Sequence, residues 1–196
     1  MPDIPDEELM IRFQQGSIGA FEILFEKYRG PVFNFLYRML NRQDDAAEDL
    51  LQEVFVKLVR ARDFYEPRAK FSTWLFAIAR NHCLNYLRSR RYAESRRSVS
   101  FEGDAAELKA GLAAREESRR KLEQKETQEL LENAILSLPD DYREVFLLRA
   151  VQGFSHAEVS QMLKVNPATV RTHYHRARLM LKEKVGALLA EGDENP

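Results

Sequence analysis

The chain has 196 residues, of which 44% are hydrophobic and 31% charged, and its net charge is −1. That length suits one or two domains with real cores, and near-neutrality excludes a uniformly basic nucleic-acid coat. A single cysteine, Cys83, excludes an intramolecular disulfide and fits a reducing compartment.

Neither export nor membrane insertion is expected. The N-terminus is acidic and lacks the basic and apolar regions of a secretion signal, and no run of about 18 apolar residues is present to span a bilayer. Charge is instead segregated. Asp3, Asp6, Glu7 and Glu8 open the chain without a base, whereas residues 80–97 hold six Arg and one Glu. Such separation suits DNA on one surface and another partner elsewhere.

Nearly every segment reads as helix. Asp6 is a candidate cap for a short helix closed by Gly16, and Ser17 for the next, with Ala20, Phe21, Leu24, Phe25 and Tyr28 as its apolar stripe. Gly30-Pro31 interrupts that pattern before it resumes over 32–40, so Pro31 opens a new helix or kinks a continuous one. A helix from Asp45 to about Arg62 buries Ala47, Leu50, Leu51, Val54, Phe55 and Leu58, leaving Asp49, Gln52, Glu53 and Lys57 on its polar face. A break at 64–68 precedes a helix from about Ser72 to Arg91.

Three features of this first half belong together. They are the polar helix face, the loop with Phe64 and Tyr65 that leads into Phe71-Ser72-Thr73-Trp74, and the row Asn81, Asn85, Arg88 at i, i+4, i+7, with Arg91 close by. Rings can stack on unpaired bases, amides can bond their edges, and Arg can hold phosphates. Taken singly each has a plainer reading: Trp74 as core, the Asn residues and the acidic face as solvated surface.

Residues 93–126 are rich in Ala, Ser, Arg, Lys and Glu and read as a charged, flexible linker. A second helical unit starts near Thr127, with Leu130, Leu131, Ala134, Ile135 and Leu138 as its first stripe; Pro139 opens the following helix and Gly153 ends it. Ser155-His156-Ala157-Glu158 is a capping box, and after a break at 164–166, Asn166 and Pro167 suit the cap and first position of another helix. In that last helix Val170, Tyr174, Ala177 and Leu181 point inward. Arg171, Thr172, His175, Arg176 and Arg178 are left facing out, and Ser155, His156, Pro167, Ala168, Thr169, Arg171, Thr172, His173, His175 and Arg176 are the candidates for DNA. Helix, tight turn and basic second helix make a helix-turn-helix, whose second member reads the major groove.

Five separated motifs resemble those of bacterial extracytoplasmic-function (ECF) sigma factors, in the family's order. Residues 49–55 (Asp-Leu-Leu-Gln-Glu-Val-Phe), 71–81 (from Phe71-Ser72-Thr73-Trp74 to Asn81) and 87–91 (Leu-Arg-Ser-Arg-Arg) look like the first domain. Residues 138–149, from Leu138-Pro139 to Leu148-Arg149, and the helix-turn-helix ending His175-Arg176-Ala177-Arg178 look like the second. The resemblance implies an all-α chain of two domains, 1–92 and 127–196, joined by the 93–126 linker. It also implies a dissociable initiation subunit of core RNA polymerase acting in the bacterial cytoplasm.

By the same resemblance Asp49, Gln52, Glu53 and Lys57 dock on polymerase. Phe64, Tyr65, Lys70, Phe71, Trp74, Asn81, Asn85, Arg88 and Arg91 take the −10 element, including a flipped base. The helix-turn-helix reads −35 promoter DNA, and an anti-sigma factor covers these surfaces. No cofactor, small-molecule substrate or metal is expected; His173 and His175, two apart on a helix, diverge and cannot chelate together. The sequence departs from the family at Lys164 and Ala168, where Gly is common, and at His173 and His175. Lys164 in the left-handed region would cost about 1 kcal/mol.

A non-sigma helix-turn-helix regulator with a helical sensing domain is the competing reading, but it leaves the aromatic loop and the Asn81/Asn85/Arg88 row without a purpose. For an enzyme, no P-loop, HExxH, paired-cysteine or Gly-rich dinucleotide motif occurs.

Overall fold

A computed structural model describes residues 4–96 and 128–192, with side chains for 4–90 and 128–186. Among the described residues the structure is helical, with no strand. The order is α1 (Asp6–Gln14), α2 (Ile18–Met39), α3 (Asp44–Ala61), a 3₁₀ turn (Arg62–Phe64), α4 (Phe71–Arg96), α5 (128–136), α6 (Asp140–Phe146) continued by a π turn (Leu147–Val151), α7 (His156–Leu163) and α8 (Pro167–Gly192). Helix α4 runs through residues 93–96, which the sequence assigned to the linker. The rest of that linker and residues 193–196 lie outside the described residues.

Local signals set most boundaries. Gly16, at φ +98°, ends α1, and the Ser17 hydroxyl accepts from the Ala20 N–H at the start of α2. Asp6 does not cap α1 as expected. Pro5 holds that position, and Asp6 sits in the first turn, where its carboxylate accepts from the Tyr28 hydroxyl (2.5 Å) and from Lys27 Nζ (2.6 Å). Helix α3 starts at Asp44, one residue before the expected Asp45, with Gln43 preceding it.

Pro31 does not divide α2, which is one 22-residue helix. Leu24, Tyr28, Val32, Phe35 and Leu36 form a continuous buried stripe across it, so packing on both sides outweighs the missing Pro N–H. Helix α2 lies against α1, α3 and α4, and α8 against α6 and α7.

The two halves share contacts of several kinds. Phe76 of α4 meets Phe154 edge-on at 5.1 Å. Arg80 Nε lies 2.6 Å from Glu144 Oε1, the carboxylate being almost fully buried. Arg38 forks onto Glu132, Nη2 to Oε1 at 2.6 Å and Nε to Oε2 at 3.0 Å, and this bond holds the Glu132 carboxyl below its usual range. Arg143 donates to the carbonyls of Leu136 and Leu138 at the end of the preceding helix, and to Asn41 Oδ1 (2.7 Å) across the junction. Each of these buried or half-buried guanidinium groups therefore meets oxygens that would otherwise lose water.

Candidate nucleic-acid interface

Helix α3 buries one face and offers the other. Ala47, Leu50, Val54 and Leu58 are core, which turns Asp49, Gln52, Glu53 and Lys57 outward. These four line one open groove of about 750 Å³ together with Val56, Arg60, Ala61, Phe64 and His82. Sequence reasoning missed Val56, Arg60, Ala61 and His82. Val56, 48% exposed on the polar side of α3, was the available signal. His82 comes from α4, its Nδ1 3.4 Å from Glu53 Oε2, and only the packing of α4 on α3 puts it there.

The aromatic loop splits into two groups. Phe64 is 83% exposed and sits at the mouth of the α3 groove, away from the other rings. Tyr65 and Phe71 were expected on the DNA face, and that expectation is corrected: they are 4% and 0% exposed. Their rings meet at 6.1 Å, and Phe71 also meets Tyr28 at 5.3 Å. The Tyr65 hydroxyl donates to the Ala69 carbonyl, and burial, with Glu7 and Asp6 nearby, pushes its pKa up to about 12. These two rings brace the loop. Trp74, half-buried against Tyr65 at 5.1 Å, keeps part of its indole at the surface.

Asn81, Asn85 and Arg88 all stand exposed along α4 as their spacing required. Arg91 follows on the same helix, beyond the described side chains. Lys70 is exposed and pairs with Glu158 Oε1 at 3.0 Å. Cys83, on the inner face of α4, is 1% exposed, and burial raises its thiol to about 12. Such a thiol is a core group rather than a sensor.

The helix-turn-helix forms as its caps dictate. The Ser155 N–H donates to Glu158 Oε2 (2.7 Å) and the Glu158 N–H to Ser155 Oγ (3.2 Å). Hydrogen bonds from Ser155, and then Lys70, hold the Glu158 carboxyl at about 2. Lys164 takes the left-handed conformation (φ 55°, ψ 41°), and Asn166 Oδ1 accepts from the Ala168 N–H (2.8 Å) to start α8. Val170, Ala177 and Leu181 are buried.

Pro167, Ala168, Arg171, Thr172, His175 and Arg176 are exposed on the other side of α8, and Thr169 is half-buried. Ser155 is exposed at the start of α7, where half-buried His156 lies edge-on to Tyr174. Burial, then the charges of Arg149 and Arg171, lower the His156 pKa, so it presents a neutral imidazole at pH 7. Thr172 spends its hydroxyl proton on the Ala168 carbonyl (3.0 Å), leaving its methyl and lone pairs for a partner. His173 is half-buried against Tyr142.

Known proteins match this arrangement along its length. The family described as Sigma-70 region 2 matches residues 24–92, and Sigma-70, region 4 matches residues 128–181. RNA polymerase sigma factor CarQ of Myxococcus xanthus is 34% identical over 182 residues, covering 93% of this chain and 98% of that protein. The ECF RNA polymerase sigma-E factor of Escherichia coli K12 is 32% identical over 191 residues, 95% and 97% of the two chains. The chain belongs to the ECF sigma factors.

Two solved structures share the fold of this sigma factor at 22% identity. CnrH, in complex with the cytosolic domain of CnrY, has a TM-score of 0.65 and covers 93% of this chain and 97% of its own. The sigma factor RpoE of Bartonella quintana, in complex with the anti-sigma factor NepR, has a TM-score of 0.69 and covers 86% and 98%. A sigma factor directs transcription initiation by RNA polymerase and is not an enzyme. The region 2 match spans the aromatic loop and the Asn81/Asn85/Arg88 row, both of which a non-sigma regulator would leave without a use. No helix among the described residues is long and apolar enough to cross a membrane.

Proposed function

We propose that this sigma factor divides its work between residues 1–92, which bind core polymerase and open the −10 element, and residues 127–196, which read −35. The observation that carries the reading is the exposed row Asn81, Asn85 and Arg88 on α4, beside a loop braced by buried Tyr65 and Phe71. Extruding a base costs a few kcal/mol. A loop already held in shape offsets that cost because less is lost in ordering it. Trp74 and Lys70 border this surface, and Asn85 bonds the edge of the extruded base.

Asp49, Gln52, Glu53 and Lys57, with Val56 and Phe64, form the polymerase-docking groove, in which exposed apolar side chains stand among charged ones. On α8, Arg171, Thr172, His175 and Arg176 face the −35 duplex, and Ser155, His156, Pro167, Ala168 and Thr169 lie near its backbone, at helix N-termini suited to phosphate. The protein acts in the bacterial cytoplasm, and promoter binding by the free chain is weak because polymerase sets the spacing of the two readers. CnrH and the Bartonella RpoE are each bound by a second chain; a partner of the anti-sigma class covers the same surfaces here.

The test is transcription with core enzyme. Asn85→Ala should leave core binding unchanged while lowering permanganate reactivity at −10. Charge reversal at Asp49 and Glu53 should instead weaken holoenzyme assembly, by competition against wild type. Normal opening by the first variant removes the base-pocket assignment, and unchanged core affinity of the second removes the docking face.

A further inference from the structure

Tyr142 lies outside the recognition helix and outside every surface assigned so far. Its position is nonetheless firmly set. It occupies the first turn of α6, where its N–H donates to the Pro139 carbonyl at 3.0 Å. The next residue, Arg143, anchors that turn by donating to the carbonyls of Leu136 and Leu138, and Val145 is wholly buried. The Tyr142 ring is half-buried against the core, and its hydroxyl reaches toward α8.

Two residues of α8 meet it, exposed Arg176 and half-buried His173. Arg176 Nη1 donates to the Tyr142 hydroxyl at 3.3 Å, and the His173 ring stands edge-on to the Tyr142 ring, centroids 5.1 Å apart at 77°. His173 and Arg176 are three residues apart, so they are neighbours on one face of the helix. One phenol therefore touches both half-buried His173 and Arg176, the latter exposed on the face that α8 turns to DNA.

We infer that Tyr142 is a specificity-determining positioning residue for −35 recognition, acting through Arg176. This rests on the −35 reading of α8 given above. A guanidinium has five N–H donors in a fixed plane. Tyr142 engages one terminal nitrogen, so the donors that remain can still pair with the O6 and N7 acceptors of a guanine. An arginine held at one corner has fewer rotamers left to lose when it meets that base. Immobilising one rotamer-rich side chain corresponds to roughly a two- to tenfold change in equilibrium, and Tyr142 supplies that factor in advance. The selectivity arises because a tethered guanidinium cannot swing to a phosphate or to a neighbouring pair.

The experiment uses the full chain with core RNA polymerase, a promoter library randomised over the −35 element, and sequencing of the transcripts. Arg176→Ala should flatten the preference for guanine at one position. Tyr142→Phe keeps the ring and its contact with His173 but removes the acceptor. It should lower the preference at that same position roughly two- to tenfold, leaving other positions and the thermal midpoint as in wild type. Combined with Arg176→Ala, it should add nothing. If Arg176→Ala flattens one position and Tyr142→Phe flattens none, the positioning role is wrong and the −35 reading survives. A uniform fall in output across all sequences with Tyr142→Phe makes the residue merely structural and overturns the inference. If Arg176→Ala changes no position, the −35 assignment of Arg176 fails, and the role of Tyr142 falls with it.

Discussion

Replacing Arg80 by Ala would leave Glu144 stranded in the junction between α4 and α6. The wild-type pair is close, Nε to Oε1 at 2.6 Å and Nη2 to Oε2 at 3.4 Å, with the Glu144 side chain 5% exposed and that of Arg80 18%. Removing one partner of such a pair costs about 3–5 kcal/mol. The carboxyl can limit the loss by taking up a proton. Burial already raises its pKa, Arg80 opposes this, and Asp141 and Asp140 add to the rise.

The sign of the pH dependence follows. A carboxyl whose folded pKa is raised favours the folded state below its unfolded value of 4.5, and that advantage is lost as pH rises through the folded pKa. Keeping the acid protonated then costs at most about 1.36 kcal/mol per pH unit above 4.5, hence about 3.4 kcal/mol at pH 7 and under about 1 kcal/mol at pH 5. Urea unfolding followed by fluorescence of Trp74, the single tryptophan, should show Arg80→Ala strongly destabilised at pH 7 and much less so at pH 5. The pair Arg80→Met with Glu144→Leu should recover most of the loss, since apolar groups of similar volume carry no desolvation penalty. A loss equal at both pH values, or below about 1 kcal/mol at pH 7, would refute the reasoning.

Two further outcomes concern the helix-turn-helix. Lys164→Gly should raise stability by up to about 1 kcal/mol, because φ 55° strains a side chain with a Cβ; the gain is partly offset by the freer unfolded chain. A lower urea midpoint would contradict this. Glu158→Ala removes half of the capping box and the Lys70 pair, and should cost about 0.5–2 kcal/mol at pH 7. With the Glu158 carboxyl held near 2 from an ordinary 4.5, that contribution is complete above pH 4.5 and fades as pH falls toward 2. Wild type and variant should therefore converge in acid, as thermal unfolding by circular dichroism would show.

What could be read directly from the residue order is what local chemistry controls. The capping box at Ser155 and Glu158, the Asn166-Pro167 start of α8, the break at Gly16 and the Ser17 cap each involve groups within five residues of one another. The exposed face of α3 and the Asn81/Asn85/Arg88 row follow from helical period, which is the same in any tertiary setting. Lys164 shows the reverse case: its left-handed backbone is required by the tight turn although its own propensity opposes it.

Only the packed chain decided which aromatic residues stay at the surface. Phe64, Tyr65 and Phe71 have similar hydrophobicity and lie within eight positions. Tyr28 approaches Phe71, and Phe71 meets Tyr65, so two of the rings are enclosed while Phe64 is left out. Pro31 stays inside α2 because neighbours distant in sequence enclose the stripe on either side of it. Glu144 lies in a charged run that composition would place in water, yet Arg80, 64 positions earlier, draws it into the junction. Tyr142 similarly reaches Arg176 from 34 positions away. Periodicity records which way a side chain leaves its own helix, and the arrangement of the helices determines what it meets there.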